Sequence, residues 1–181
     1  MSRKYKFQNP DGLYFVSFAT VYWLDIFVRD QCFDLVIQSL NFCRKEKGME
    51  IYAYCIMTSH IHLIFRSKDS NPSKLLKEFK TYTSKKLQQA ISDNPQESRR
   101  EWLLWMMERA GLKNSNVKNR QFWQQNNKPI ELWSATVIDQ KVDYIHQNPV
   151  EAGFVLEPEY WKYSSAADYA GRKGILDIDY V

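Results

Sequence analysis

The stretch that most constrains the fold is MEIYAYCIMTSHIHLIFRSK, residues 49–68. Apolar, β-branched and aromatic residues crowd both sides of Thr58 and Ser59, and the pattern reads as two strands joined by a tight turn. Upstream, GLYFVSFAT (12–20) reads as another strand, with partial alternation. Between them, RDQCFDLVIQSLNFCRKEKG (29–48) places Phe33, Ile37, Leu40 and Cys43 or Arg44 at helical spacing, and Gly48 is a natural stop.

The second half begins with a helix, NPSKLLKEFKTYTSKKLQQAI (71–91). Ser73 is its expected cap, and Leu76, Phe79, Leu87 and Ala90 mark its buried side. Its other face carries Lys74, Lys77, Lys80, Lys85 and Lys86. A loop at 92–98 leads to a short apolar helix at 99–111 and a polar loop at 112–120, and the whole of 92–120 reads as an insertion. QFWQQ (121–125) is a candidate last strand. A helix then runs from Ala135 to Asn148, where Pro149 is expected to end it. Long crossovers mixed with a hairpin predict an α+β fold of ferredoxin-like, RRM-type arrangement. Its antiparallel sheet is covered by helices on one face. At 181 residues this is one domain spanning 1–181, with a C-terminal extension at 156–181.

Composition narrows the classes. A hydrophobic fraction of 44% suits a folded globular chain that buries its core without disulfides. Cys32, Cys43 and Cys55 show no CxxC spacing, which fits small buried residues in a reducing cytoplasm. No secretory signal and no apolar run of membrane-spanning length is visible, so a cytoplasmic protein is expected. A net charge of +4 is mildly basic and says little about nucleic acid unless the charge is concentrated.

Only three histidines are present, and two of them are His60 and His62. On a strand, residues i and i+2 share a face, so both imidazoles project together while Ile61 points into the core. Two such rings can bind one divalent cation, although a pair alone fits hydrogen-bonded surface histidines equally well. The helix 135–148 places Ile138, Val142 and Ile145 on one stripe. Tyr144 and Asn148, at i and i+4, share a flank near Lys141, while Asp139, Asp143 and His146 face another way. That flank offers a phenol, an amide oxygen and a cation. The simpler account is that Tyr144 packs and Asn148 caps the helix end.

Taken together, His60-Ile61-His62 and the downstream YIHQNPVEAGFV resemble the single-tyrosine HUH transposases, in particular the REP-associated tyrosine transposases. YAYCIMTSHIHLIF resembles that family's strand leading into the histidines, LLKEFKTYTSKKL its basic helix, and WKYSSAADYAG its C-terminal segment. The resemblance spans 12–91 and 121–178. It implies the HUH endonuclease fold and an enzyme that cuts and rejoins single-stranded DNA beside hairpins, acting as a monomer or a homodimer. It further implies that His60, His62 and Asn148 hold Mg2+ or Mn2+ and that Tyr144 attacks the scissile phosphate. The product is a 5′-phosphotyrosine link and a free 3′-OH. Lys77, Lys80, Lys85 and Lys86 are then candidates for phosphate contacts. Trp123, Trp133, Trp161 and Tyr163 are candidates for stacking unpaired bases, with core packing the alternative for each. Two other readings remain. One is a catalytically silent single-stranded nucleic-acid-binding module on the same fold. The other is a zinc hydrolase, which lacks an evident third histidine or acidic ligand.

Overall fold

The computed structural model describes residues 6–115, 117 and 119–180. The first residues of the N-terminus and two positions of the 112–120 loop lie outside these. The elements in chain order are β1 (Tyr14–Ala19), α1 (Asp30–Glu46), β2 (Met49–Ile56), β3 (His60–Ser67), α2 (Pro72–Asp93), α3 (Arg100–Leu112), β4 (Ile130–Glu131), α4 (Ala135–Glu151) and α5 (Ala166–Tyr169). The four strands form one antiparallel sheet in the order β2-β3-β1-β4. This is the ferredoxin-like arrangement expected from the sequence, with α3 added before the last strand.

The hairpin β2–β3 turns where expected, through Thr58 and Ser59, closed by Met57 N–H donating to the His60 carbonyl at 2.8 Å. The turn is held from outside as well. Thr20 N–H donates to the Ser59 carbonyl and Phe27 N–H to the Thr58 carbonyl, each at 2.9 Å. β1 runs alongside β3 with Ser17 opposite His62 and Ala19 opposite His60, so the histidines sit at the start of a central strand.

Alternation along the strands feeds two cores. One face contributes Val16, Phe18, Ile61, Leu63 and Phe65, buried against Leu40 of α1, Leu76 and Phe79 of α2, and Leu103 and Met107 of α3. The other contributes Phe15, Ala53, Cys55 and Ile64, buried against Val142 and Ile145 of α4. The expected covering of one face thus describes α1 and α2, while α4 packs on the opposite face. A sheet with apolar side chains on both faces has to be covered on both.

Several local expectations are corrected. Asn71, not Ser73, caps α2: its side-chain oxygen accepts from Lys74 N–H at 3.2 Å, and Pro72 takes the first helical position. The buried side of α2 is lined by Leu75, Leu76, Phe79, Thr83, Leu87 and Ile91, with Ala90 only half-buried. QFWQQ is not a strand of the sheet. Phe122 and Trp123 are adjacent and both buried, which breaks two-residue alternation, and only Trp123 bridges to Thr20. The fourth strand is Ile130–Glu131, paired with Phe15 and Tyr14. Pro149 does not end α4, which continues to Glu151. The proline removes one donor near the helix end, and its buried ring packs there. Carbonyls of that last turn accept from Ala152, Gly153 and Phe154.

The C-terminal extension covers the exposed edge of β2. Ile56 N–H donates to the Tyr163 carbonyl, Ser165 N–H to Tyr54, and Asp179 N–H to Ile51 at 2.7 Å. His146 and Ser165 meet at 2.8 Å, tying α4 to the same segment. Cys32, Cys43 and Cys55 are all free and buried, as expected of small core residues. Among the described residues, no helix is long and apolar enough to cross a membrane.

Candidate metal and nucleophile site

His60 and His62 project from β3 toward α4, with ring centroids 4.8 Å apart. Ile61 between them is fully buried in the opposite core. The two-residue strand period therefore does what the sequence implied. α4 brings Asn148 over the pair: its Oδ1 lies 3.2 Å from His62 Nε2, and its Nδ2 donates to the Tyr144 carbonyl at 2.6 Å. That second bond fixes the amide so that its oxygen faces the imidazoles. One turn earlier, the Tyr144 ring sits 5.4 Å from the His62 ring, edge to face, and 6.0 Å from Phe15. Tyr144 is 44% exposed, open to an incoming ligand. The Lys141 ammonium lies 5.1 Å from the centres of both the Tyr144 and Phe15 rings.

Burial sets the electrostatics. Loss of solvent around His62 pushes its imidazolium down to about 3, with the neighbouring His60 contributing in the same direction. His60 is lowered too, chiefly by burial. Both rings are therefore neutral near pH 7, the form that donates a lone pair to a metal. Nε2 of His62 is the ring nitrogen that faces the Asn148 oxygen, while its Nδ1 is buried with no hydrogen-bond partner among the described residues. Among the described residues, no group of three His, Cys, Asp or Glu is placed to hold a metal. A third donor at the pair is the Asn148 amide oxygen, and the Ser59 hydroxyl lies 3.3 Å from His60 Nδ1. Two neutral nitrogens and one oxygen, converging from a strand and a helix, fit a divalent cation such as Mn2+.

The remaining sequence candidates lie elsewhere. α2 covers the far face of the sheet, so Lys77, Lys80, Lys85 and Lys86 are separated from the histidines by the sheet itself. Lys80 is not on the open face of that helix. Its ammonium donates to the Gln124 carbonyl at 3.0 Å and to Asn127, and burial lowers it to about 8. Lys77, Lys85 and Lys86 are exposed. Trp123 is buried between Phe18 and Phe27 and donates to Thr83 Oγ1. Tyr163 stacks on Phe33 at 3.9 Å, and Trp161 packs against Phe154 while donating to the Ile56 carbonyl. These three are packing residues. Trp133 is 80% exposed and immediately precedes Ser134, the cap of α4.

Sequence reasoning missed two contributors. Phe15 stacks on His62 at 5.7 Å and forms the wall behind it. Trp23 lies edge to face with His60 at 5.3 Å. Tyr22 and Trp23 both take left-handed backbone angles, with φ of 54° and 55°. That costs about 1–3 kcal/mol at each non-glycine position. No glycine, asparagine or aspartate in TVYWL announces such a turn.

Residues 16–108, just over half of the chain, match the family of IS200-like transposases. The match takes in His60 and His62, while Tyr144 and Asn148 lie beyond it. A solved structure of a REP-associated tyrosine transposase bound to a REP hairpin superposes with a TM-score of 0.64 at 19% identity. It covers 100% of this chain and 92% of that one. At that identity the likeness is one of fold. No curated protein matches the chain. The extent of the family match, with the fold carried over the whole chain, places this protein in the IS200-like transposase family.

Proposed function

We propose that the chain cuts and rejoins single-stranded DNA beside hairpins, with Tyr144 as nucleophile. The observation that carries this reading is the position of Tyr144, half exposed and one helical turn before an asparagine that touches buried His62. The hairpin bound in the structurally similar transposase supports hairpin DNA as the partner.

In this reaction the Tyr144 phenol oxygen attacks phosphorus and its proton passes to solvent. The bond from phosphorus to the 3′-oxygen breaks, and that oxygen leaves as a 3′-hydroxyl. The DNA is then held by its 5′-phosphate on tyrosine. The phosphodiester energy is conserved in the new link, so a 3′-hydroxyl of another strand reverses the step without ATP. His60, His62 and Asn148 would hold Mn2+ or Mg2+, and nitrogen donors favour the former. Held there, such a cation would supply Lewis-acid stabilisation of charge developing on the phosphate oxygens. Asn148, anchored on the Tyr144 carbonyl, keeps the amide donor and the tyrosine backbone in register. The Lys141 ammonium lies 5.1 Å from the centre of the Tyr144 ring, a cation close to the attacking residue. Lys77, Lys85 and Lys86 contact phosphates of DNA that passes to the far face, and Lys80 orders the loop at 124–127. Both halves of the site meet within one chain, which supports a monomer as the working unit.

The test is a denaturing gel. The protein is incubated with Mn2+ and single-stranded DNA carrying hairpins from its own genome, beside Tyr144→Phe. A shifted covalent band that needs both metal and Tyr144 is expected. Tight binding with no band would leave only a silent single-strand binder.

A further inference from the structure

We propose that the Trp23 indole, carried on the left-handed turn beside His60, is the stacking platform for the unpaired base next to the scissile phosphate. The inference rests on the reading of His60 and His62 as the place where that phosphate sits.

Folding alone does not account for this turn. Val21 and Leu24 are buried, and Thr20 is sealed in the core with its hydroxyl donating to the Leu24 and Ser59 carbonyls at 2.8 and 3.1 Å. Backbone bonds close it at each end: Val21 N–H to the Phe122 carbonyl, Trp23 N–H to Thr20 and Leu24 N–H to Val21. The two residues between the buried anchors, Tyr22 and Trp23, are both bulky, both left-handed and both exposed, at 43% and 54%. Both carry that strain while leaving about half of their surface open to solvent. Strain kept without packing gain points to function, and here it lies beside the histidine pair.

The geometry suits a nucleobase. The indole stands edge to face against His60 at 5.3 Å, interplanar angle 70°, with more than half of its surface open. A phosphate at the histidines puts the adjoining base within reach of that ring, and aromatic faces stack any base. Other exposed indoles are less well placed. Trp102 and Trp105 sit on α3. Trp133 precedes the Ser134 cap, at the opposite end of α4 from Asn148. Among the described residues, Trp23 alone of the tryptophans makes a ring contact with His60 or His62.

The experiment measures fluorescence anisotropy of a labelled oligonucleotide containing a native hairpin and its single-stranded flank. An abasic site is walked along the flank, against the unaltered protein, Trp23→Gly and Trp23→Phe. Glycine accepts a φ near 55°, so Trp23→Gly should melt no lower than the parent. One abasic position should weaken parent binding about tenfold or more. The same position should cost Trp23→Gly nothing further, with Trp23→Phe in between. An equal abasic penalty in parent and Trp23→Gly, or unchanged affinity of Trp23→Gly for the intact strand, would overturn the proposal. The covalent band is scored separately. A band without the base coupling removes the platform alone, whereas coupling without a band keeps the platform and removes the transesterase.

Discussion

At the residue scale, each side chain of the candidate site is held in place by ordinary contacts of the fold. His62 is neutral because burial strips its solvent, and its orientation comes from Phe15 and Asn148. Asn148 is aimed by its bond to the Tyr144 carbonyl. Asn148→Ala takes away the amide oxygen proposed as a metal donor and should weaken Mn2+ binding about tenfold or more, read by isothermal titration. His62→Ala should weaken it further. Unchanged Mn2+ affinity in both variants would mean that the cation binds elsewhere. The histidine pair was legible in the sequence because a strand period of two leaves no choice of face. Tyr144 and Asn148 were legible as an i, i+4 flank. Phe15 and Trp23 were not, because contacts between elements distant in sequence carry no local signal, and the left-handed turn uses residues that ordinarily avoid it.

At the element scale, the sheet register places the histidines and helix termini place the rest. Asn71→Ala removes the α2 cap and should cost about 1 kcal/mol in a denaturant melt. Gly111 is required by close packing: a Cβ there would stand 2.2 Å from the Asn119 carbonyl oxygen. Gly111→Ala should therefore destabilise by about 1–3 kcal/mol, since α3 or the following chain must shift. A melt equal to the parent's would show that the contact yields without strain. The element boundaries that the sequence misplaced have specific causes. A proline in the last turn loses only one bond, so α4 ran on past it. Asn71 outcompeted Ser73 because Pro72 sets the first helical position. Phe122 and Trp123 belong to the core as an irregular segment rather than to the sheet, and a run of aromatic residues does not distinguish the two.

At the scale of the whole molecule, two ion-paired arginines and a buried histidine make stability depend on acid. Glu97 is 8% exposed, bonded to Arg99 at 3.0 Å and to Arg29 at 3.2 Å. Arg99 chiefly holds its carboxyl down at about 2, from an ordinary 4.5. A lowered carboxyl pKa stabilises the fold fully above about 4.5, and the contribution is lost as pH falls toward 2. Burial lowers His146 from 6.5 to about 4, so its neutral form adds a loss of stability across that higher window as pH falls. Glu97→Gln should be less stable than the parent at pH 7, and the gap should close between pH 4.5 and 2, followed by thermal melts across that range. A gap independent of pH would remove the ion pairs from the account. The same compact frame, with the C-terminal extension sealing β2 and α4 laid across the sheet, is what brings Tyr144 to the histidines of its own chain. The most direct measurement of that central claim is tandem mass spectrometry of the adduct after nuclease digestion. A nucleotide 5′-phosphate is expected on the peptide containing Tyr144, and on that side chain. A nucleotide on any other residue, or cut DNA with no modified peptide at all, would contradict that claim.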